Sequence, residues 1–305
     1  MDASVSQDSL PAAVAPRAAE PRALVGLIGA GIQRSLTPAM HEEEARHHGL
    51  RLHYQLIDLD RTAAGAADLP ALLASARTMG FAGLNITYPC KQAVIPLLDD
   101  LSQEARAMGA VNTVVNRDGR LVGHNTDGPG WSWGFRRALP DADLDRVVLL
   151  GAGGAGSAIA HAVLRLGAAN LRLVDSDAAR AGDLAGRLNG LYGAGRVTAF
   201  AEVGEAVADA TGLIHATPTG MDKLPGLPLP ESLLRPQLWV AEVVYFPLET
   251  ELLQAARRRG CATVDGGTMA VGQAIGAFEL FTGLKPDADR MEAHLRRLLA
   301  GRSGD

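Results

Sequence analysis

Val147-Val148-Leu149-Leu150-Gly151-Ala152-Gly153-Gly154-Ala155-Gly156 is the stretch on which the fold turns. Four consecutive apolar residues read as a buried strand. Gly151, Gly153 and Gly156 then satisfy G-x-G-x-x-G directly after it and open a helix. Each glycine has a separate task in such a turn. Gly151 permits the tight bend, Gly153 lets backbone N–H groups approach a pyrophosphate, and Gly156 allows the helix to pack closely on the strand. With Gly154 and Ala155 they form the N-terminus of a helix, which offers unsatisfied donors and partial positive charge to phosphate oxygens. A glycine-rich turn that binds nothing is the plain alternative. The strand before, the helix after and Asp175 at the end of the next strand favour dinucleotide binding.

Working outward, Leu171–Asp175, Val197–Phe200, Leu213–Thr217, Trp239–Val244 and Ala262–Asp265 read as five further strands. The helix after the first strand puts Ile159, Ala162, Val163 and Leu166 on one face. Six strands in βα alternation predict a doubly wound, Rossmann-type sheet. Toward the N-terminus, strands are expected at Leu24–Gly29, His53–Asp58, Gly83–Ile86 and Val111–Val115, with helices such as Pro38–His48 and Leu69–Met79. The alternation again suggests βαβ units and a parallel sheet. The fold class is therefore α/β with two domains: an N-terminal α/β substrate domain over 23–127 and a dinucleotide-binding domain over 128–266. Helices over 267–305 are expected to return to the first domain. Residues 1–22, rich in Ala, Pro and mixed charge, read as a disordered tail.

At 305 residues and 47% hydrophobic, the chain suits two cored domains. Its 29 basic and 34 acidic residues, net −5, argue against a nucleic-acid binder, which needs a concentrated basic surface. Cys90 and Cys261 lie in no metal-ligating or disulfide spacing, so a reducing, cytoplasmic setting without a structural metal is expected. No apolar run approaches the ~18–20 residues of a membrane span. Cys90 reads as a buried small apolar residue.

Several polar residues stand where the pattern expects apolar ones. Asn85 interrupts Gly83–Ile86, and Asn112 interrupts Ala110–Val115. A buried amide without a partner costs about 1–3 kcal/mol, so each bonds either to neighbouring backbone or to a hydroxyl-rich ligand. Lys91 opens a helix, where the dipole disfavours a cation. Asp127 and Thr37 both suit helix N-caps. Ser35 and Thr37 can also offer hydroxyls to a ligand, and capping and ligand contact can share a residue. Asp175, or Asp177 beside it, either caps the next helix or accepts from the adenosine ribose. A carboxylate there would face the 2′-phosphate of NADP, so NAD is the expected cofactor. Two unit charges ~4 Å apart at an effective ε of ~20 repel by about 4 kcal/mol before solvent reduces it.

Taken together, the motifs resemble the shikimate dehydrogenase family, which includes quinate/shikimate dehydrogenases. They are Ser35-Leu36-Thr37-Pro38-Ala39-Met40-His41, Gly83-Leu84-Asn85-Ile86-Thr87-Tyr88-Pro89-Cys90-Lys91, Gly109-Ala110-Val111-Asn112-Thr113-Val114, Gly123-His124-Asn125-Thr126-Asp127-Gly128, the glycine turn, Ala216-Thr217-Pro218-Thr219-Gly220-Met221 and Gly272-Gln273-Ala274. The resemblance spans Gly26 to about Asp287. It implies Lys91 and Asp127 as a coupled catalytic pair, and a small polyol carboxylate as substrate in a cleft between the domains. By the same resemblance, Ser35 and Thr37 hold the carboxylate, while Asn85, Asn112, Asp127 and Gln273 hold ring hydroxyls. Thr87 and Tyr245 match substrate-contacting positions, and Thr217 and Val243 would line the nicotinamide pocket. Asp175-Ser176-Asp177 stands where NADP-preferring relatives carry an Asn-Arg-Thr-like motif. Ser35-Leu36-Thr37 resembles members that also accept quinate. An aminoshikimate-type dehydrogenase and a ligand sensor that has lost catalysis are the competing readings. Either a monomer or a homodimer is compatible with the sequence.

Overall fold

The computed structural model describes residues 21–63 and 65–302. Of the tail expected over 1–22, residues 1–20 lie outside the described residues. The chain then runs through β1 (Arg22–Gly29), α1 (Thr37–His47), β2 (Arg51–Asp58), α2 (Leu69–Thr78), β3 (Gly83–Ile86), α3 (Cys90–Ala93), β4 (Asp100–Leu101), α4 (Gln103–Met108), β5 (Thr113–Arg117) and β6 (Arg120–His124). Helix α5 (Asp127–Ala138) carries it into β7 (Arg146–Leu150), α6 (Gly154–Arg165), β8 (Asn170–Val174), α7 (Ala178–Tyr192), β9 (Val197–Phe200), α8 (Val203–Val207), β10 (Gly212–His215), β11 (Trp239–Glu242), α9 (Glu251–Arg258) and β12 (Thr263–Val264). Helices α10 (Gly266–Thr282) and α11 (Ala288–Arg302) close the described chain.

Two six-stranded sheets result. The second has the order β12-β11-β10-β7-β8-β9 with every pair parallel, the doubly wound order expected from the alternation. Its strand order reverses between β7 and β10, and ligands of such sheets bind at the carboxyl ends of those strands. Ile159, Ala162 and Val163 are buried on α6, and Leu166 packs against the same core.

The first sheet, order β2-β1-β3-β5-β6-β4, departs from the all-parallel expectation. β1 pairs in parallel with β2 and β3, but β3–β5 and β5–β6 are antiparallel. Asp118 and Gly119, both at positive φ (52° and 86°), form the two-residue turn of a hairpin closed by Arg117 and Arg120. An Asp-Gly pair is the turn chemistry that matches strand twist in such hairpins.

The C-terminal helices return to the first sheet, as expected. Phe281 of α10 packs with Val25, Leu27 and Tyr54. Met291, Leu295 and Leu299 of α11 pack on Leu36 and Met40. Arg290 clasps the buried carboxylate of Glu44 on α1 at 2.6 and 2.8 Å, and the Asp287 N–H donates to it at 2.8 Å. Burial alone would raise the Glu44 pKa, but these hydrogen bonds hold it below the usual carboxylate range.

Helices α5 and α10 link the two halves, and they cross in backbone contact. A methyl group on Gly130 would sit 2.3 Å from the Gln273 amide nitrogen, and one on Gly272 would sit 2.3 Å from the Gly130 carbonyl oxygen. Glycine at both positions lets the helices come this close, and the crossing sets the relative placement of Asp127 and Gln273.

Candidate active site

A cavity of about 520 Å³ lies between the first sheet and the switch point of the second. Ser35, Thr37, Asn85, Thr87, Lys91, Asn112 and Asp127 line it from the first half. Ala155, Thr217, Val243 and Tyr245 line it from the second, and Gln273 from α10. Thus all the expected substrate-contacting residues and the expected catalytic pair face one space. Gly151, Gly153, Gly154, Gly156 and Asp175 are not among its lining residues; they build the adjoining turn.

Lys91 stands second in α3, as the sequence indicated, but α3 is a single turn of four residues, so little helix dipole opposes the cation. Its ammonium donates to Asp127 Oδ2 at 2.6 Å, with the two side chains 19% and 7% exposed. The other Asp127 oxygen accepts from Asn112 Nδ2 at 2.8 Å. Asn112 cannot turn over, because its Oδ1 accepts the Thr126 backbone N–H at 2.7 Å and the Thr113 hydroxyl at 3.0 Å. Asn85 in turn donates to Thr113 Oγ1 at 3.1 Å and to the Asn112 carbonyl at 3.3 Å, and accepts from the Tyr54 hydroxyl at 2.7 Å. Both amides that interrupt the apolar pattern are therefore bonded within the protein as well as facing the cavity. Thr113, Thr126 and Tyr54 fix the site without having been singled out by sequence. Asp127 heads α5 but caps nothing with its side chain.

Thr37 does not cap α1 either. It stands inside the first turn, and its N–H donates to Ser35 Oγ at 3.3 Å. The Ser35 hydroxyl reaches Thr37 Oγ1 at 3.1 Å, so two hydroxyls are presented side by side. Cys90 is buried and its thiol pKa is raised by that burial, in keeping with an apolar role.

The glycine turn fits a dinucleotide. Gly151 has φ +100°, and a methyl group there would sit 2.6 Å from the Ala216 carbonyl oxygen. One on Gly156 would sit 1.9 Å from the Gly151 carbonyl oxygen, whereas one on Gly153 meets nothing within 4 Å and would fill only the open space above the turn. No side chain caps α6, which leaves its first N–H groups for phosphate oxygens. A methyl group on Gly154 would touch Lys91 Cδ at 3.5 Å, so the lysine stem runs beside this helix end. Asp175 braces the turn: Oδ2 accepts the Ala152 N–H at 2.7 Å and Oδ1 the Asp177 N–H at 2.9 Å. Of the two candidate caps for α7, Asp177 is the one used. Arg180 reaches back to Asp177 at 3.2 Å and to Asp175 at 3.4 Å.

Sequence reading passed over the cavity rim. Arg34, from the loop after β1, lies over the Phe246 ring at 4.5 Å and 3.9 Å from the Asp222 carboxylate, spanning the two halves. Met40, Met221 and Met269 add apolar wall. Residues of this kind carry no spacing signature; only the adjacency of Arg34 to Ser35 pointed to it.

Residues 27–114 match the shikimate dehydrogenase substrate binding domain, and residues 266–296 the shikimate 5'-dehydrogenase C-terminal domain. A shikimate dehydrogenase (NADP(+)) of Streptomyces avermitilis is 58% identical over 277 residues, covering 90% of this chain and 95% of the relative. The chain belongs to the shikimate dehydrogenase family. Another family member, the quinate/shikimate dehydrogenase (NAD(+)) of Corynebacterium efficiens, is 49% identical, covering 88% of this chain and 96% of its own. Among solved structures of the family, quinate dehydrogenase from Corynebacterium glutamicum in complex with NAD superposes with a TM-score of 0.87. The two are 46% identical, over 91% of this chain and 99% of that one. The fold is that of shikimate dehydrogenases, with a substrate domain and a Rossmann-type cofactor domain. Among the described residues, no helix is long and apolar enough to cross a membrane.

Proposed function

We propose that the chain is an NAD-dependent dehydrogenase that interconverts a ring hydroxyl of shikimate or quinate with the corresponding ketone. The observation that carries this reading is the shared cavity, in which Lys91 and Asp127 face Thr217 and Val243 beside the glycine turn. In this reading residues 23–127 hold substrate, 128–266 hold the dinucleotide, and 267–305 pack back on the substrate domain.

The nicotinamide dinucleotide supplies the hydride acceptor for oxidation and the donor for the reverse reaction. The paired hydroxyls of Ser35 and Thr37 bind the substrate carboxylate. Asn112, Asp127 and Gln273 orient ring hydroxyls, and Asn85 and Thr87 support them. Lys91 keeps N–H donors beyond the one given to Asp127. It donates a proton to the carbonyl oxygen in reduction and receives the hydroxyl proton in oxidation. Asp127, pinned by Asn112, holds the ammonium in place.

For the cofactor, this reading sets the Asp175 and Asp177 carboxylates beside the adenosine ribose, with Arg180 shared between them at 3.4 and 3.2 Å. That arrangement favours NAD over NADP by about tenfold or more, after solvent has weakened the repulsion. Initial rates with shikimate and quinate, each with NAD+ and NADP+, test both halves of the proposal. Turnover of at least one polyol with NAD+ preferred is expected. Preference for NADP+, or turnover of neither polyol, overturns it.

A further inference from the structure

Beneath the second-half wall of the cavity lies a buried pair of titratable groups that the proposed chemistry leaves idle. His215 ends β10 and Glu242 ends β11, directly opposite each other in the parallel register. Both side chains are 0% exposed. His215 Nδ1 lies 2.8 Å from Glu242 Oε1, and its Nε2 lies 2.5 Å from the Thr217 hydroxyl. Glu242 Oε1 also accepts the backbone N–H groups of Val243 at 2.8 Å and Val244 at 3.0 Å. Its Oε2 accepts the Thr250 hydroxyl at 3.0 Å.

Four donors thus converge on one carboxylate, the acceptor-only form of the side chain. A carboxylate on the other side of Nδ1 requires that nitrogen to carry the proton. Burying such a pair is a poor way to gain stability, because desolvation cancels most of the attraction. Nor do the strands need it to stay together, since β10 and β11 already pair over four registered positions. What the pair does hold is specific. His215 binds the hydroxyl of Thr217, which also accepts the Thr219 N–H at 3.3 Å, so that hydroxyl is turned into the protein. Glu242 binds the backbone of Val243. Thr217 and Val243, just beyond the ends of these two strands, are among the residues that line the cavity.

We propose that His215 and Glu242 are positioning residues for the hydride step, locking Thr217 and Val243 as the wall on which the nicotinamide ring seats. This rests on the dehydrogenase reading above. The Thr217 hydroxyl then acts inward, through His215, rather than on the cofactor.

The test compares wild-type protein with Thr217→Val, Thr217→Ser, His215→Leu and the Thr217→Val/His215→Leu double variant. Melting temperature, NADH affinity by quenching of protein fluorescence, and kcat are measured on each. Thr217→Val is expected to lower kcat about tenfold through misplacement of the wall, while NADH affinity, set mainly by the glycine turn, changes less than about threefold. Thr217→Ser restores kcat to within about twofold. His215→Leu resembles Thr217→Val, and the double variant is no slower than either, since both remove one coupled contact. Folded single variants with wild-type kcat, or losses that multiply in the double variant, overturn the proposal. Where His215→Leu fails to fold, the contrast between Thr217→Val and Thr217→Ser decides alone. Wild-type protein that binds no NADH removes the dehydrogenase reading, and this inference with it.

Discussion

Asn112 hands one amide hydrogen to Asp127 Oδ1 at 2.8 Å while its own oxygen is held by the Thr126 backbone N–H at 2.7 Å. The Asp127 carboxylate is therefore oriented by a residue that cannot flip, and Lys91 takes the remaining oxygen at 2.6 Å. Positioning precedes chemistry in this site: four residues from three stretches of chain agree on where the ammonium points.

Removal of Lys91 should separate binding from turnover. Lys91→Ala is expected to keep NADH affinity within about threefold and to lower kcat by about 10²–10⁴-fold, the usual worth of a proton-transfer group. Asp127→Asn should also lower kcat, because the ammonium loses its anchor. Steady-state kinetics alongside a binding titration check both. Turnover retained by Lys91→Ala would remove it from the chemistry.

The Asp175 carboxylate braces the glycine turn, and in the proposed reading it also disfavours NADP, two tasks that a single substitution can separate. Asp175→Asn keeps an oxygen for the Ala152 N–H but removes the charge. The ratio of kcat/KM for NAD+ over NADP+ should fall by about tenfold, with a modest drop in melting temperature because the Asp177 N–H loses its acceptor. An unchanged ratio would shift cofactor choice to Asp177 and Arg180.

Close approach at the helix crossing predicts a contrast between glycines. At Gly130 an added methyl group meets backbone at 2.3 Å. Gly130→Ala should cost about 1–3 kcal/mol or more and lower kcat by displacing Gln273. Gly182 is exposed on α7, and a methyl group added there would meet nothing within 4 Å. Gly182→Ala should therefore gain up to about 1 kcal/mol. Urea unfolding of the two variants gives the comparison.

His41 supplies a pH dependence. It is fully buried among Tyr54, Phe278 and Phe281, both ring nitrogens lack a partner, and burial lowers its pKa to about 3. The unfolded chain binds this proton near pH 6.5 and the folded chain does not, so stability falls as pH drops below that value. Between pH 7 and 5 the loss from His41 is about 2 kcal/mol, at about 1.4 kcal/mol per unit. His41→Phe should flatten that part of the profile by a similar amount. Denaturant midpoints at the two pH values measure it, and an unaltered slope would refute the assignment.

Much of this was readable from the chain. The glycine turn announces itself by its spacing, and Asn85, Asn112 and Lys91 by breaking the local pattern, whereas Asp127 reads locally as a cap and stands out only through the family resemblance. The Asp118-Gly119 hairpin was readable too, but the expectation of βαβ units concealed it, and β4 and β6 went unread beside it. His215–Glu242 and Arg34–Phe246 belong to another category. They join residues 27 and 212 positions apart, and nothing local marks them until the strands and loops are side by side.

The crossing of α5 and α10 has a mechanical consequence. The chain passes between its two halves through these helices, and they lie against each other without intervening side chains at Gly130 and Gly272. The seam is thus a stiff spine rather than a pair of slack tethers. Any breathing of the groove must take place at the far lip, where the Arg34 loop meets Phe246 and Asp222. Asp127 and Gln273, seated on the spine, are held at a fixed spacing by backbone rather than by side chains that could give.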